Sequence, residues 1–478
     1  MWLEGLGDGS VDGTPGRKTN GELPQIATVL TWTTKGSLAV LDEGVYATSN
    51  FLVSILAARW LEAKQYGVFT TTYSVFLLLA ALHVAILSEP LTILGPGPYA
   101  TSFRRYFAIV VRLHWSLMVP LSMALVAVAL GLQDAMPADS QQALISLAAA
   151  APFILLLWLA RRAFYARLEP GWPAAAGIVY SAAALGLLWG LHRAGKLSPG
   201  AALLAMGGAG FVAGALLLGR LAWGTPRPRT AGTPTFPAVA VEHWKYGRWF
   251  CAVAIAGWFP SNIYYTLLPA QTGFEGSGVL RAQINLAMPP LHCIAALSAL
   301  VVTVLVQDLS RGGEEALDRR VRSVLAGFFA LSIASLVTVV SLGPAMLQFA
   351  YGGGRYRTHL AALILVGLLP IGQSCTSAFG CALRALRRPD LILWSHVGAC
   401  GVSAAVGVPL SAVFGVEGAL VGILLSYLTS GALMARYYRA TLNERVGRTS
   451  VPDGSADLLE RSEDGRRVGM MEDKRPEF

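Results

Sequence analysis

Long apolar runs dominate this sequence and constrain its fold more than any other feature. Many of them exceed the roughly 18 residues that an α-helix needs to cross the hydrocarbon core of a bilayer. They are continuous, which is typical of spanning helices, whereas the strands of membrane barrels alternate polar and apolar residues. Of all residues, 54% are hydrophobic and 14% are charged, against roughly 25% charged in soluble domains. The sequence therefore predicts an all-α integral membrane protein.

Twelve spans are predicted, in two groups of six on either side of a polar, proline-rich linker at residues 224–244. The first group, within 37–223, has spans at about 38–57, 67–94, 106–132, 142–160, 173–191 and 200–223. The second group, within 245–440, has spans at about 246–270, 277–306, 321–350, 359–383, 390–412 and 416–438. Residues 1–36 and 441–478 are poor in large apolar side chains, so we expect them to be disordered cytoplasmic segments.

Lys and Arg are distributed unequally between alternate loops. With the N-terminus in the cytoplasm, the cytoplasmic segments up to Arg448 collect 24 of these residues and the external loops collect 6. Cytoplasmic loops of membrane proteins carry the excess of Lys and Arg, so both termini are predicted to be cytoplasmic. The same asymmetry accounts for the net charge of +9, and no nucleic-acid partner is needed to explain it.

The two halves share a short internal repeat. SNFLVSILAARWLEAKQYGVF in the first half matches SNIYYTLLPAQTGFEGSGVL in the second. Asn50 precedes Gly67 by 17 residues, and Asn262 precedes Gly278 by 16 residues. Each copy begins its half with the same orientation, which predicts two six-helix lobes related by a parallel repeat. Repeats of this kind are typical of transporters whose binding site lies between the two bundles.

Four ionisable residues of the first half are predicted to share one layer near the cytoplasmic side: Asp42, Glu43, Glu89 and Arg112. Ionisable groups at membrane depth are costly and indicate a functional site. Glu43, Asn50 and Ser54 have the spacing of one helix face, which favours the polar lining of a cavity. The alternative is an ion pair of Arg112 with Glu43 or Glu89 that only stabilises the bundle. One Arg cannot neutralise all three acids, so at least one carboxyl could have a raised pKa. A further hypothesis is that Glu43 or Glu89 couples transport to an ion gradient.

The second half carries a comparable face. Arg281, Asn285 and His292 have the spacing of one side of a helix, and Asn262 is the repeat counterpart of Asn50. We interpret Asn262, Arg281 and Asn285 as candidate cavity residues, although Arg281 is equally explained as an interfacial anchor. A cytoplasmic cluster of Arg161, Arg162 and Arg167 is a candidate entry site for substrate, and positive-inside anchoring is the alternative.

Enzymatic function is not favoured. The loops are short, and the histidines are scattered without the spacing of a metal site. All five cysteines fall inside predicted spans, where a disulfide framework or metal site is not expected. We therefore predict no catalytic residues, no metal and no cofactor. A membrane-embedded glycan polymerase or acyltransferase remains the alternative from the enzyme class.

Five segments, spread over nearly the whole chain, carry a resemblance to a known family. The first is LDEGVYATSNFLVSILAARWLEAKQYGVFTTTYSVFLLL, at the start of the first lobe, and it is followed in order by LSEPLTILGPG, ARRAFYARLEP, HWKYGRWF and FAYGGGRY. Together they resemble bacterial polysaccharide flippases of the multidrug/oligosaccharidyl-lipid/polysaccharide exporter superfamily. It implies two six-helix lobes around a central cavity, a monomer, and a multi-pass location in the bacterial inner membrane.

The resemblance also implies a substrate. Such flippases move an undecaprenyl-pyrophosphate-linked oligosaccharide across the membrane and work with a polysaccharide polymerase and export machinery. Their cavities often carry basic residues, for which Arg112 and Arg281 are the candidates here. The acids Asp42, Glu43 and Glu89 depart from a cationic cavity and suggest cation or proton coupling. A drug/cation antiporter of the same superfamily is the alternative transporter.

Overall fold

Twelve α-helices form the described part of the chain, which comprises residues 22–223, 234–352, 356 and 359–449 in this computed structural model. The helices of the first half are α1 (Glu22–Trp60), α2 (Ala63–His83), α3 (Glu89–Leu94), α4 (Phe103–Gly131), α5 (Ala138–Ala166), α6 (Gly171–Arg193) and α7 (Pro199–Trp223). Those of the second half are α8 (Phe236–Thr272), α9 (Phe274–Tyr351), α10 (Leu360–Ala385), α11 (Pro389–Val402) and α12 (Val408–Thr449). No strand occurs within these ranges.

Eight helical stretches in the described ranges are long and apolar enough to cross a membrane. One of them runs from Ala63 to Leu94 and joins α2 to α3 through a π-helical turn at Val84–Ser88. A second π-helical turn, Ser403–Gly407, joins α11 to α12. Neither α1 nor α8 is among the eight stretches, although both pack among them. These two helices open the two halves of the chain and are its more polar spans.

The polypeptide reverses direction inside α9. Gly313 has a φ of 64°, a left-handed conformation that glycine adopts without a steric cost. Arg320 Nε donates to Asp308 Oδ2 at 2.7 Å, although twelve residues of straight helix would separate these positions by about 18 Å. The chain therefore turns back at Gly313, and α9 supplies two antiparallel spans.

A second reversal lies inside α12 at Gly415, where φ is 58°. A Cβ on Gly418 would lie 2.0 Å from the carbonyl oxygen of Leu410, so the segments on either side of Gly415 are in direct contact. With both reversals counted, the spans are α1, α2–α3, α4 to α8, the two arms of α9, α10, α11 with the start of α12, and the remainder of α12. The predicted twelve-span layout is confirmed.

The spans pack as two six-helix lobes. In the N-terminal lobe α1 packs on α6, and α5 packs on α2, α4 and α7. In the C-terminal lobe α10 packs on α9 and α12, and α8 packs on α11 and α12. The main contacts between lobes join α1 and α2 to α8 and α9. The interface is therefore formed by the first two spans of each half, as a parallel repeat requires.

Three boundaries differ from the sequence-based expectation. Disorder is expected up to residue 36, whereas α1 begins at Glu22. The linker is expected to reach residue 244, whereas α8 begins at Phe236, because Val239 and His243 are buried and anchor its first turns. The tail is expected from residue 441, whereas α12 continues to Thr449. The rest of these predicted segments, at 1–21, 224–233 and 450–478, lies outside the described residues.

Candidate functional site between the two lobes

The repeat is visible as the same local hydrogen bond in α1 and α8. Asn50 Nδ2 donates to the carbonyl of Tyr46 at 3.1 Å, and Asn262 Nδ2 donates to the carbonyl of Trp258 at 3.1 Å. Each Asn thus binds the backbone one turn earlier in its own helix. Tyr180 OH also donates to Asn50 Oδ1 at 3.2 Å. The two amides therefore brace equivalent positions of the helices that open each lobe.

Repeat-related glycines close one end of the interface. A Cβ added to Gly67 would lie 1.7 Å from the carbonyl oxygen of Phe274, and one added to Gly278 would lie 3.3 Å from the Gly67 nitrogen. The start of α2 and the start of α9 therefore touch backbone to backbone. We call Gly67, Phe274 and Gly278 the glycine seal. Because α1 and α8 run toward this end, the seal lies at the end of the interface opposite the termini.

A buried polar network lies next to the seal. Asn285 Nδ2 donates to Ser54 Oγ and to Tyr351 OH, both at 3.0 Å, and Ser54 Oγ shares a hydrogen bond of 3.0 Å with Tyr66 OH. Among the described residues no donor reaches the buried Asn285 Oδ1. Ser54 and Asn285 come from the candidate faces of the two halves, so the structure brings these faces together.

Beyond this network, α1 and α9 present polar side chains to open space. The Glu43 side chain is 68% exposed, and His292 on α9 is also exposed. Glu43 and Arg281 both lie within electrostatic range of His292. Glu43 therefore faces the opposite lobe. We call the space between α1 and α9 on this side of the network the cleft. It ends at the glycine seal, and away from the seal the side chains of Glu43 and His292 are exposed.

On its other side the cleft is closed by contacts between α2 and α8. Thr71 Oγ1 donates to the carbonyl of Tyr265 at 2.9 Å, and Trp258 Nε1 donates to the carbonyl of Ser74 at 3.0 Å. Near the far end, a Cβ on Gly247 would lie 3.0 Å from the carbonyl oxygen of Ala85. The seam between α2 and α8 thus continues along both helices, whereas on α1 and α9 the side chains of Glu43 and His292 are exposed.

A group of hydrogen-bonded side chains joins the two lobes at the far end of this seam. Tyr99 OH donates to Glu242 Oε2 at 2.7 Å, and Tyr106 OH and His243 Nε2 share a hydrogen bond of 2.8 Å. The rings of Tyr99 and Tyr106 stack with centroids 4.4 Å apart. Burial and the hydrogen bond to Glu242 raise the pKa of Tyr99 to about 12, so it remains a neutral donor at physiological pH. We call Tyr99, Tyr106, Glu242 and His243 the lobe latch.

Asp42 is the centre of a buried charged cluster in the N-terminal lobe. Arg161 Nη2 donates to Asp42 Oδ2 at 2.8 Å, and Tyr165 OH donates to the same oxygen at 2.5 Å. Arg161 also lies 3.5 Å from Glu43 and stacks over the Tyr46 ring at 4.4 Å. Arg161 thus bridges a buried acid and an acid that faces the cleft. The sequence assigned Arg161 to a cytoplasmic entry cluster and did not identify it as the partner of Asp42.

The other predicted cations and acids lie away from the cleft. Arg112 is exposed on α4, and the alternative pairing of Arg112 with Glu43 is not found, because among the described residues Glu43 lies within ion-pair distance of Arg161 instead. Glu89 is half-buried at the start of α3, and no ion pair with Arg112 is found among the described residues. Arg162 is exposed, and Arg167 pairs with Glu169 at 2.9 Å.

Arg281 occupies the half of the interface near the seal. Its guanidinium lies 5.7 Å from the centroid of the Tyr73 ring, and the hydroxyls of Tyr66 and Tyr265 are within electrostatic range. In the described part of the chain no carboxylate lies within ion-pair distance of Arg281. A cation surrounded by tyrosines and without an acid partner is suited to hold an anionic group between the lobes.

Known structures share this fold. An inward-facing multidrug resistance MATE family transporter of the MOP superfamily matches with a TM-score of 0.65 and 12% identity, over 87% of this chain and 96% of that one. A eukaryotic MATE transporter matches with a TM-score of 0.62 and 15% identity, over 87% of this chain and 98% of that one. A MOP superfamily transporter from Pyrococcus furiosus, described as having a binding pocket of reverse polarity, matches with a TM-score of 0.63 and 12% identity, over 86% of this chain and 95% of that one.

These likenesses show that the chain has the fold of MATE family transporters. No protein-family model matches the sequence, and no curated protein matches it. At 12 to 15% identity the substrate does not follow from the fold. It must be argued from the side chains of the cleft.

Proposed function

We propose that this protein is a membrane transporter that works by alternating access, rocking its two lobes about the cleft. The observation that carries this proposal is the unequal interface between α1 and α9. These helices are joined through Ser54 and Asn285 near the glycine seal and present Glu43 and His292 to open space beyond it. A cleft closed at one end and open at the other is one state of such a cycle. The MATE-like fold supports the same function.

The chemistry of the cleft fits this task. A polar group that enters hydrocarbon without a hydrogen-bond partner costs several kcal/mol, and a charge costs more. The cleft offers a carboxylate from one lobe and an imidazole from the other, and the Arg281 guanidinium lies nearer the seal. A polar substrate would therefore exchange hydration for protein contacts. Alternate opening at the two ends would then carry it across without exposure to lipid tails.

For the substrate, the first candidate is an organic cation exported by antiport, as in a drug/cation antiporter. The fold likenesses to multidrug transporters favour this class over a flippase. Glu43 supplies an accessible carboxylate, which would pair with the charge of a cationic amphiphile. Glu43 also contacts Arg161, which links the cleft to the buried Asp42. We propose that protonation or cation binding at Glu43 couples the ion gradient to lobe movement.

The second candidate is a flippase for a lipid-linked, pyrophosphate-bearing oligosaccharide, and Arg281 is the observation that favours it. Its charge has no carboxylate partner among the described residues, which suits a phosphate group better than a cation. The separation of α1 from α9 would let the lipid tail stay in the bilayer while the head group enters the cleft. Under this proposal a polysaccharide polymerase and export machinery are the partners.

One experiment separates the two classes. Purified protein in liposomes is assayed for gradient-driven uptake of a cationic dye and for flipping of a fluorescent pyrophosphate-linked oligosaccharide lipid. For the antiporter, Glu43→Gln should abolish gradient-stimulated uptake, whereas Glu275→Gln, which removes an exposed acid outside the cleft, should not. For the flippase, Arg281→Gln should abolish flipping, and Arg193→Gln should not. If the native protein moves neither substrate, both substrate assignments are refuted.

We further propose a location in the bacterial inner membrane, with both termini on the cytoplasmic side and the protein acting as a monomer. The distribution of Lys and Arg supports the orientation. The cleft would then open toward the cytoplasm, since the glycine seal lies at the end opposite the termini.

A further inference from the structure

The first turns of α8 have two unlike faces. Val239, His243 and Gly247 recur every four residues, lie on one side of the helix, and are buried. The opposite side carries four exposed aromatic and basic side chains: Trp244, Lys245, Arg248 and Trp249. This segment precedes the part of α8 that borders the cleft, and its exposed face takes part in none of the contacts described above.

The buried face holds the N-terminal lobe. His243 bonds Tyr106 of α4 through Nε2, and its Nδ1 lies 3.1 Å from the carbonyl oxygen of Ile86. That carbonyl belongs to the π-helical turn after α2, where the helical hydrogen-bond pattern is irregular. Gly247 allows the backbones of α8 and this turn to approach closely. Any movement that separates the lobes at this end must break these contacts.

The exposed face has the composition of a lipid headgroup site. Trp244 is 56% exposed and Trp249 is 65% exposed, and indole rings concentrate at the membrane–water interface. The Arg248 guanidinium lies 5.4 Å from the centroid of the Trp249 ring. Arg105 of α4 is exposed one residue before Tyr106, so cations from both lobes lie beside the latch. The acid of this segment, Glu242, is engaged by Tyr99.

We propose that Lys245 and Arg248, with Arg105, bind the phosphate headgroups of anionic phospholipids and that this binding stabilises the lobe latch. Basic clusters beside spanning helices bind anionic lipids, each cation strengthening the association by about five-fold. The headgroups would hold one face of the α8 segment while the N-terminal lobe holds the other. Moving the N-terminal lobe away from α8 at this end then requires the segment to leave both partners. The proposal goes beyond transport and holds for either substrate class.

The first test measures lipid preference on the full-length native protein. Native mass spectrometry compares retention of phosphatidylglycerol and phosphatidylcholine. Lys245→Gln with Arg248→Gln should lower the preference for phosphatidylglycerol by about 30-fold, because two cations are lost. Arg311→Gln with Arg319→Gln, which removes two exposed cations of α9, is the matched control and should retain it. An unchanged preference in the α8 variant overturns the lipid site.

The second test measures the latch. Spin labels at positions 162 and 384, exposed on different lobes, report the distance between lobes in nanodiscs, with the five native cysteines replaced by alanine. Phosphatidylglycerol should shift the distribution toward the shorter distance, and the α8 double variant should lose this shift. If lipid preference falls while the distance distribution responds as before, the coupling of lipid to latch is refuted.

Discussion

A single methyl group at Gly67 tests whether the glycine seal holds the lobes together. A Cβ at this position would lie 1.7 Å from the Phe274 carbonyl oxygen, whereas real Cβ contacts stay above 3.0 Å. The backbones must therefore separate by about 1.3 Å. Overpacking of this kind costs about 1–3 kcal/mol. Because the cost falls on the sealed state alone, the population of the sealed state relative to the opened state should fall about 5- to 150-fold.

Labelling of a buried position near the seal measures this shift. Ser277 is fully buried, and its hydroxyl donates to the Tyr265 carbonyl at 3.1 Å. In a background without native cysteines, a cysteine at position 277 should react slowly with a membrane-impermeant maleimide in the native sequence and much faster with Gly67→Ala. Size-exclusion chromatography and membrane levels verify that each variant folds.

Two further glycines calibrate the result. Gly278→Ala places a Cβ 3.2 Å from the Tyr66 ring, so a smaller increase in labelling is expected. Gly186→Ala meets nothing within 4 Å, and it should leave labelling unchanged while stabilising α6 by up to about 1 kcal/mol. Equal labelling of all three folded variants would show that Phe274 yields locally and that the glycines do not hold the lobes closed.

Two other predictions follow from the charged residues. Asp42→Asn should lower the free energy of unfolding by about 3–5 kcal/mol, because it removes the buried acid partner of Arg161 and leaves only the exposed Glu43 at 3.5 Å. Glu43→Gln, at an exposed side chain, should change the free energy of unfolding by no more than about 1 kcal/mol. Thermal unfolding in detergent measures both, and equal losses would contradict the buried pair. A cysteine at Asp134 should be labelled by an impermeant reagent in intact cells and one at Arg162 should not, so labelling at position 162 would overturn the orientation.

The charged residues show which contacts could not be predicted from the sequence. The sequence predicts that Asp42 and Arg112 are both ionisable groups near one membrane surface, because the depth of a residue in the membrane follows from its position along a span. Which helix lies next to α1 does not follow from depth. The structure places α5 and α6 beside this part of α1, so Asp42 binds Arg161, and Arg112 lies exposed on α4. The dense RRAFYAR motif contained the true partner but gave no signal that distinguished Arg161 from Arg162.

The sequence by itself determined the class of protein, its twelve spans, its division into two halves and the equivalence of Asn50 with Asn262. These features depend on local hydrophobic length and on spacing along one helix. Only the tertiary structure decided that Ser54 meets Asn285, that α2 and α8 form a continuous seam, and that the cleft opens between α1 and α9. A helix face is fixed by periodicity, but the partner of that face is chosen by close packing, as where Gly67 and Gly278 let two backbones touch.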